Sequence, residues 1–167
     1  MQQGIAIALC YTEPMTSRVL WHASRADIDR PTLAGRTVGE NHANSGLGLF
    51  CASEPHGYIA GFGCHIHALT IKENPRVLTI WVRDLAVMGP RELSEEDARA
   101  WFEQEGARLA QDYDLIELQE SNGNIEQAII LHDDAIISST RFSLDEYQKI
   151  CQPDPSPKDG PKRRPGM

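Results

Sequence analysis

Three short stretches of the 167-residue chain hold side chains suited to chemistry: Arg18-Val-Leu-Trp-His22-Ala-Ser24, Ser45-Gly-Leu-Gly-Leu-Phe50-Cys-Ala-Ser53 and Asn124-Ile-Glu126-Gln-Ala-Ile-Ile-Leu131. Glu126 opens an apolar run and shares a strand face with Ala128 and Ile130, so its carboxylate sits at the mouth of a strand. One fixed carboxylate in such a place suits the breaking of an N-glycosidic bond. Positive charge builds on the sugar as the bond opens, and a nitrogen base that leaves as a neutral molecule needs no general acid. Glu117 and Glu120 compete with Glu126 for that role. His22 lies on one face with Leu20 and Ser24. A neutral imidazole there hydrogen-bonds a ribose hydroxyl, Ser24 adds a second polar contact, and Ala23 leaves the backbone accessible; the alternative is a structural histidine satisfied by a carbonyl. Gly46 and Gly48 flank Leu47 just before Phe50, a spacing that marks close backbone approach, a bulge or a ligand wall. The ring of Phe50 then either packs in the core or stacks on a planar aromatic cation, with a charge contribution of roughly 1 kcal/mol.

These groups need strands to hold them. Strand-like runs cover Arg18 to Ser24, Leu47 to Ala52, Cys64 to Ile71, Val77 to Val82, Asp114 to Leu118 and Glu126 to Leu131. Val77 to Val82 lacks polar alternation, which predicts a central strand covered on both faces. Ser94-Glu-Glu-Asp97 predicts a cap for a helix reaching Gln111, with Ala98, Trp101, Phe102 and Leu109 on the packing face. Ser53-Glu-Pro-His56 predicts a shorter helix bearing Tyr58 and Phe62, and Ser143 opens a last one stopped by Pro153. Strands with interspersed helices and no regular βαβ alternation predict an α+β fold with a mostly antiparallel or mixed sheet.

Size and composition narrow the field. The length fits one domain, residues 1–151, and 41% hydrophobic residues are enough for a core. Residues 152–167 hold half of the prolines and Lys162-Arg-Arg164 with almost nothing apolar, which predicts a disordered tail. The net charge of −8 argues against nonspecific nucleic-acid binding. No run is long enough to cross a bilayer, and Ile5 to Cys10 is short and lacks a basic leader, so a cytoplasmic protein is expected. Cys10, Cys51, Cys64 and Cys151 show no paired spacing, and no disulfides are expected.

Taken in order, the three stretches resemble the motifs of ADP-ribosyltransferases of the histidine, tyrosine, glutamate type, the group that includes diphtheria-toxin-like and poly(ADP-ribose) polymerase catalytic domains. His22-Ala23-Ser24 resembles the family's His-Gly-Ser or His-Gly-Thr, with alanine for glycine. Gly46-Leu-Gly-Leu-Phe50-Cys-Ala52, followed by Tyr58 and Phe62, resembles Gly-x-Gly-Ile-Tyr-Phe-Ala and its later aromatic, with Phe50 for tyrosine. Glu126-Gln-Ala-Ile-Ile-Leu-His-Asp133 is similar to Glu-Tyr-Val-Val-Phe-Asp with one extra residue. The resemblance implies an ADP-ribosyltransferase-like split sheet with flanking helices. It also implies NAD as substrate, His22 on the adenosine ribose, backbone beside it on the carboxamide, Phe50 with Tyr58 or Phe62 around nicotinamide, and Glu126 on the nicotinamide ribose. The acceptor would be a protein, and the small size resembles phage, toxin–antitoxin or anti-CRISPR transferases that modify one host protein.

Two other classes remain open on the residues alone. Cys64-His65-Ile-His67 places two imidazoles on one strand face, with His56 and Glu73 near in sequence, as a metal-binding enzyme or sensor would require. A non-catalytic inhibitor would instead use the acidic surface to bind a protein partner.

Overall fold

The first and third strand runs meet as an antiparallel pair: β1 (Val19–Ser24) lies against β3 (His65–Ile71), with His22 opposite His67 and Ser24 opposite His65. The computed structural model describes residues 17–35, 43–55 and 61–152. Within them β2 (Leu49–Ala52), β4 (Val77–Trp81), β5 (Leu115–Gln119), β6 (Ile125–Ile130) and β7 (Ile136–Phe142) complete one seven-stranded mixed sheet of order β4-β5-β6-β2-β1-β3-β7. Three helices accompany it: α1 (Val82–Ala86), α2 (Glu95–Leu109) and α3 (Leu144–Cys151). The fold class is therefore α+β. The tail from residue 153, the Ile5 to Cys10 run, and His56 with Tyr58 of the expected short helix lie outside the described residues.

Local chemistry accounts for the helix ends. Ser94 caps α2 by accepting from the Asp97 amide, and Ser143 makes a full capping box with Glu146 at the start of α3. The α2 packing face is nearly as expected, with Phe102 and Leu109 buried and Trp101 half-buried, but Gly106 joins it. A Cβ on Gly106 would stand 2.2 Å from the Leu47 carbonyl oxygen, so a side chain is excluded where α2 crosses the 3-10 turn Ala43–Leu47.

One expectation is overturned and one strand is added. β4 is an edge strand, paired only with β5, and Trp81 is 37% exposed; its apolar character fits a parallel neighbour and the α1–α2 crossover, not a central position. β7 forms the other edge although Ile137-Ser-Ser-Thr-Arg141 has little apolar alternation. It is held by the full β3 ladder with a bulge at Thr70/Ile71.

The two faces of the sheet differ. On one, α2 covers Ile116, Leu118 and Ile129, while Tyr147 of α3 covers Ala52 and Ile66 together with Trp21 and Phe142. On the other, Leu20, Leu49, Leu69, Ile71, Leu115 and Ile130 form a buried aliphatic layer that shares its strand phase with His22 and His67. The segment 25–35 is strapped to the β7 end of the chain by Arg30, which donates to the Ile136 carbonyl, and by Leu33, whose amide donates to Asp133. No helix among the described residues is long and apolar enough to cross a membrane.

Buried Asp114 at the start of β5 fixes the β3–β4 connection. It accepts from the Arg76 amide at 2.8 Å and from Arg76 Nη2 at 3.1 Å, and it pairs with Lys72 at 3.0 Å. These partners, Arg76 first, hold its carboxyl well below the usual carboxylate range. A depressed carboxylate contributes stability that is present above its unfolded value and is lost as the pH falls below it. We expect Asp114→Asn to lower stability at neutral pH by about 2 kcal/mol in urea unfolding. The gap to the parent should begin to narrow as the pH falls below about 4, the ordinary carboxylate value, and close only where the folded-state carboxyl itself takes up a proton.

Candidate functional site

Between β1 and β2 the ladder is reduced to a single pair, Trp21 opposite Ala52, against six pairs between β1 and β3. The sheet thus consists of two blocks, β4-β5-β6-β2 and β1-β3-β7, meeting at a seam. His22 stands in that seam. Its Nδ1 lies 2.8 Å from the Phe50 carbonyl oxygen, and since a carbonyl only accepts, Nδ1 carries the proton. In the neutral ring Nε2 is then an acceptor, ready for a hydroxyl donor. Burial lowers the His22 pKa, opposed by the bond to Phe50, so the imidazole is neutral at physiological pH.

Glu126 lies on the far side of β2. Leu118 pairs with Gln127 and Gln119 with Ile125, so Glu126 is the extra residue of a bulge in the β5–β6 ladder. On the β2 side the ladder stays regular, with the Ser53 amide donating to the Glu126 carbonyl at 2.9 Å. That register keeps Glu126 in phase with Ala128 and on the face of His22. Strand spacing and rise put the two Cα atoms about 12 Å apart. The Glu126 side chain is exposed, and among the described residues it forms no ion pair.

The other expected site residues are distributed as follows. Phe50 pairs with Ile129 and belongs to the α2-side cluster, so its ring faces away from His22 and its carbonyl is what it offers the seam. Of the two places expected for the Phe50 ring, the core is the one observed, because period-two alternation and the Trp21–Ala52 register put Phe50 and His22 on opposite faces. Ala23 likewise faces the helices. Ser24 shares the His22 face, but its hydroxyl is engaged in a local turn with the Ala26 amide and carbonyl. Gly48 serves packing: a Cβ there would lie 2.4 Å from the Ile130 carbonyl oxygen, so it lets β2 close on β6. Phe62 is 60% exposed, and Tyr58 lies outside the described residues.

Of the competing carboxylates, Glu117 is ion-paired with Arg18 across the sheet, past the small side chains of Ala128 and Cys51. Glu120 belongs to the β5–β6 turn, where its amide donates to the Asn124 carbonyl. Burial pushes the Cys51 thiol pKa up, so it is an inert apolar neighbour. Arg18 was visible only as the first residue of a strand-like run. Its reach to Glu117 needs the strand order, which no local pattern carries.

His65 and His67 do share the His22 face, yet among the described residues no group of three or more His, Cys, Asp or Glu side chains is placed to hold a metal ion. Buried His67 has its pKa lowered to about 4, by burial first and then by the nearby His22, Arg141 and His65. A lowered histidine pKa means the unfolded chain binds the proton more readily. Stability is complete above about pH 6.5 and falls as the pH drops toward the folded value near 4. Thermal unfolding should show Tm falling between pH 6.5 and 4.5, and His67→Asn should flatten that slope.

No family model, no curated protein and no solved structure matches the chain.

Proposed function

We infer that this chain is an NAD-dependent ADP-ribosyltransferase acting on a protein acceptor, with the two blocks of the sheet corresponding to the split sheet of that fold. The observation that carries this reading is the seam: an imidazole clasped to the Phe50 carbonyl where the β1–β2 ladder stops, with the exposed carboxylate of Glu126 on the same face. The separation of about 12 Å suits two ends of a dinucleotide, with His22 Nε2 accepting from the adenosine ribose and Glu126 holding the nicotinamide ribose. The bond from the ribose C1′ to the nicotinamide nitrogen breaks, and its electron pair leaves with neutral nicotinamide. The acceptor forms the new bond to C1′ and releases its proton. Glu126 stabilises the cationic sugar between these events. Nicotinamide stacking falls to Phe62, which is exposed, and Tyr58, since the Phe50 ring lies on the helix side. The acceptor belongs to the same cytoplasm, and a host protein such as a CRISPR component fits a transferase of this size.

Incubation with NAD and a lysate, read by released nicotinamide and by the mass of one ADP-ribosyl group added to acceptor proteins, is the direct test. Glu126→Gln should lower turnover at least about a hundredfold by removing the charge that faces the transition state. Its circular dichroism and Tm should match the parent, because the side chain is exposed. Unchanged turnover would overturn the assignment of Glu126, and the absence of any nicotinamide release would overturn the class in favour of a binding protein.

A further inference from the structure

A row of nitrogen-bearing side chains crosses β1, β3 and β7 on the His22 face. His22 is opposite His67, and His67 is opposite Arg141, with His65 one step along. At the usual strand spacing the row spans about 10 Å, longer than one phosphate group and comparable with two linked phosphates. His67 is fully buried, its Nδ1 is 3.4 Å from Ser139 Oγ, and its Nε2 has no hydrogen-bond partner among the described residues. A buried polar atom left in that state calls for a ligand or a water.

The outer end of the row opens on a cavity of about 320 Å³ lined by Cys64, His65, Arg141, Ser143, Leu144 and Asp145. Arg141 Nη2 donates to His65 Nδ1 at 3.2 Å, while Nη1 is ion-paired with Asp27 of the 25–35 strap. Asp27 is mostly exposed and offers one carboxylate, whereas a diphosphate offers more charge and more acceptor oxygens to the same fork. Asp145, at the first turn of α3, is the carboxylate on the cavity wall.

We propose that Arg141 and His65 form an anion site for the diphosphate of a nucleotide at this cavity, with the unpartnered Nε2 of buried His67 next along the row, and that Asp27 is its built-in competitor, occupying Arg141 until the phosphates displace it. The identity of the nucleotide as NAD rests on the transferase reading; the anion chemistry does not.

Isothermal titration of the full chain with ADP, inorganic pyrophosphate and inorganic phosphate tests this. ADP and pyrophosphate should bind, phosphate more weakly, and Arg141→Gln should weaken both ligands at least about tenfold. Asp27→Asn should tighten both by about threefold or more, a direction that a merely structural role for this exposed residue does not give. Lack of binding by both diphosphates, or an Asp27→Asn affinity equal to or weaker than the parent, overturns the anion site. Pyrophosphate binding that responds to both variants without nicotinamide release from NAD upholds the anion site and overturns the transferase reading. Nicotinamide release with titrations indifferent to both variants does the reverse.

Discussion

The bond between the His22 imidazole and the Phe50 carbonyl sets the character of the sheet at its middle. A carbonyl in a regular antiparallel ladder accepts from a backbone amide; here a side chain takes that acceptor, and the β1–β2 pairing stops after one residue pair. What keeps the blocks together is tertiary. On the helix side Trp21 of β1 packs with Phe142 at 5.7 Å and Tyr147 at 5.5 Å, and Tyr147 also covers Ala52 of β2. On the opposite side Arg18 reaches from β1 to Glu117 of β5. An aromatic cluster below and an ion pair above thus replace the missing ladder, and they leave backbone polarity at the seam for a ligand to use.

This arrangement also explains the state of the histidines. The carbonyl fixes the His22 tautomer, and burial among donors keeps both His22 and His67 neutral. Neutral imidazoles suit a chain with a net charge of −8, because they offer hydrogen bonds to a nucleotide without drawing in the protein's own carboxylates. Arg141, permanently charged, has drawn one in: Asp27.

Much of this was legible in the sequence, and the failures share one cause. Alternation located β1, β2, β3, β5 and β6 to within about two residues, and the Ser94 and Ser143 caps fixed two helix starts, because these signals are local. Strand order and register are not local. Val77–Trp81 reads as central because its residues are apolar, yet its neighbours make it an edge. Phe50 and His22 each obey period-two alternation, but only the Trp21–Ala52 pairing decides that their side chains diverge. Arg141 and Asp27 drew no notice because β7 lacks an apolar pattern, and the row they complete exists only across strands.

The same distinction bears on which acid would face a developing cation. Glu117 is the better-held carboxylate, two strands from the seam and fixed by Arg18, but the guanidinium cancels most of its field where a sugar would lie. Glu126 has no ion-pair partner among the described residues. Its position is set instead by the backbone: the bulge adds one residue to β6 at the strand's mouth and aims the side chain there, while Ser53 pins the following peptide from the other side. A carboxylate positioned by main-chain geometry and left without a countercharge is suited to stabilising a transient cation, whereas one positioned by a countercharge is suited to holding strands together. On the proposed transferase reading the fold uses one of each, and Arg18 is what separates their roles.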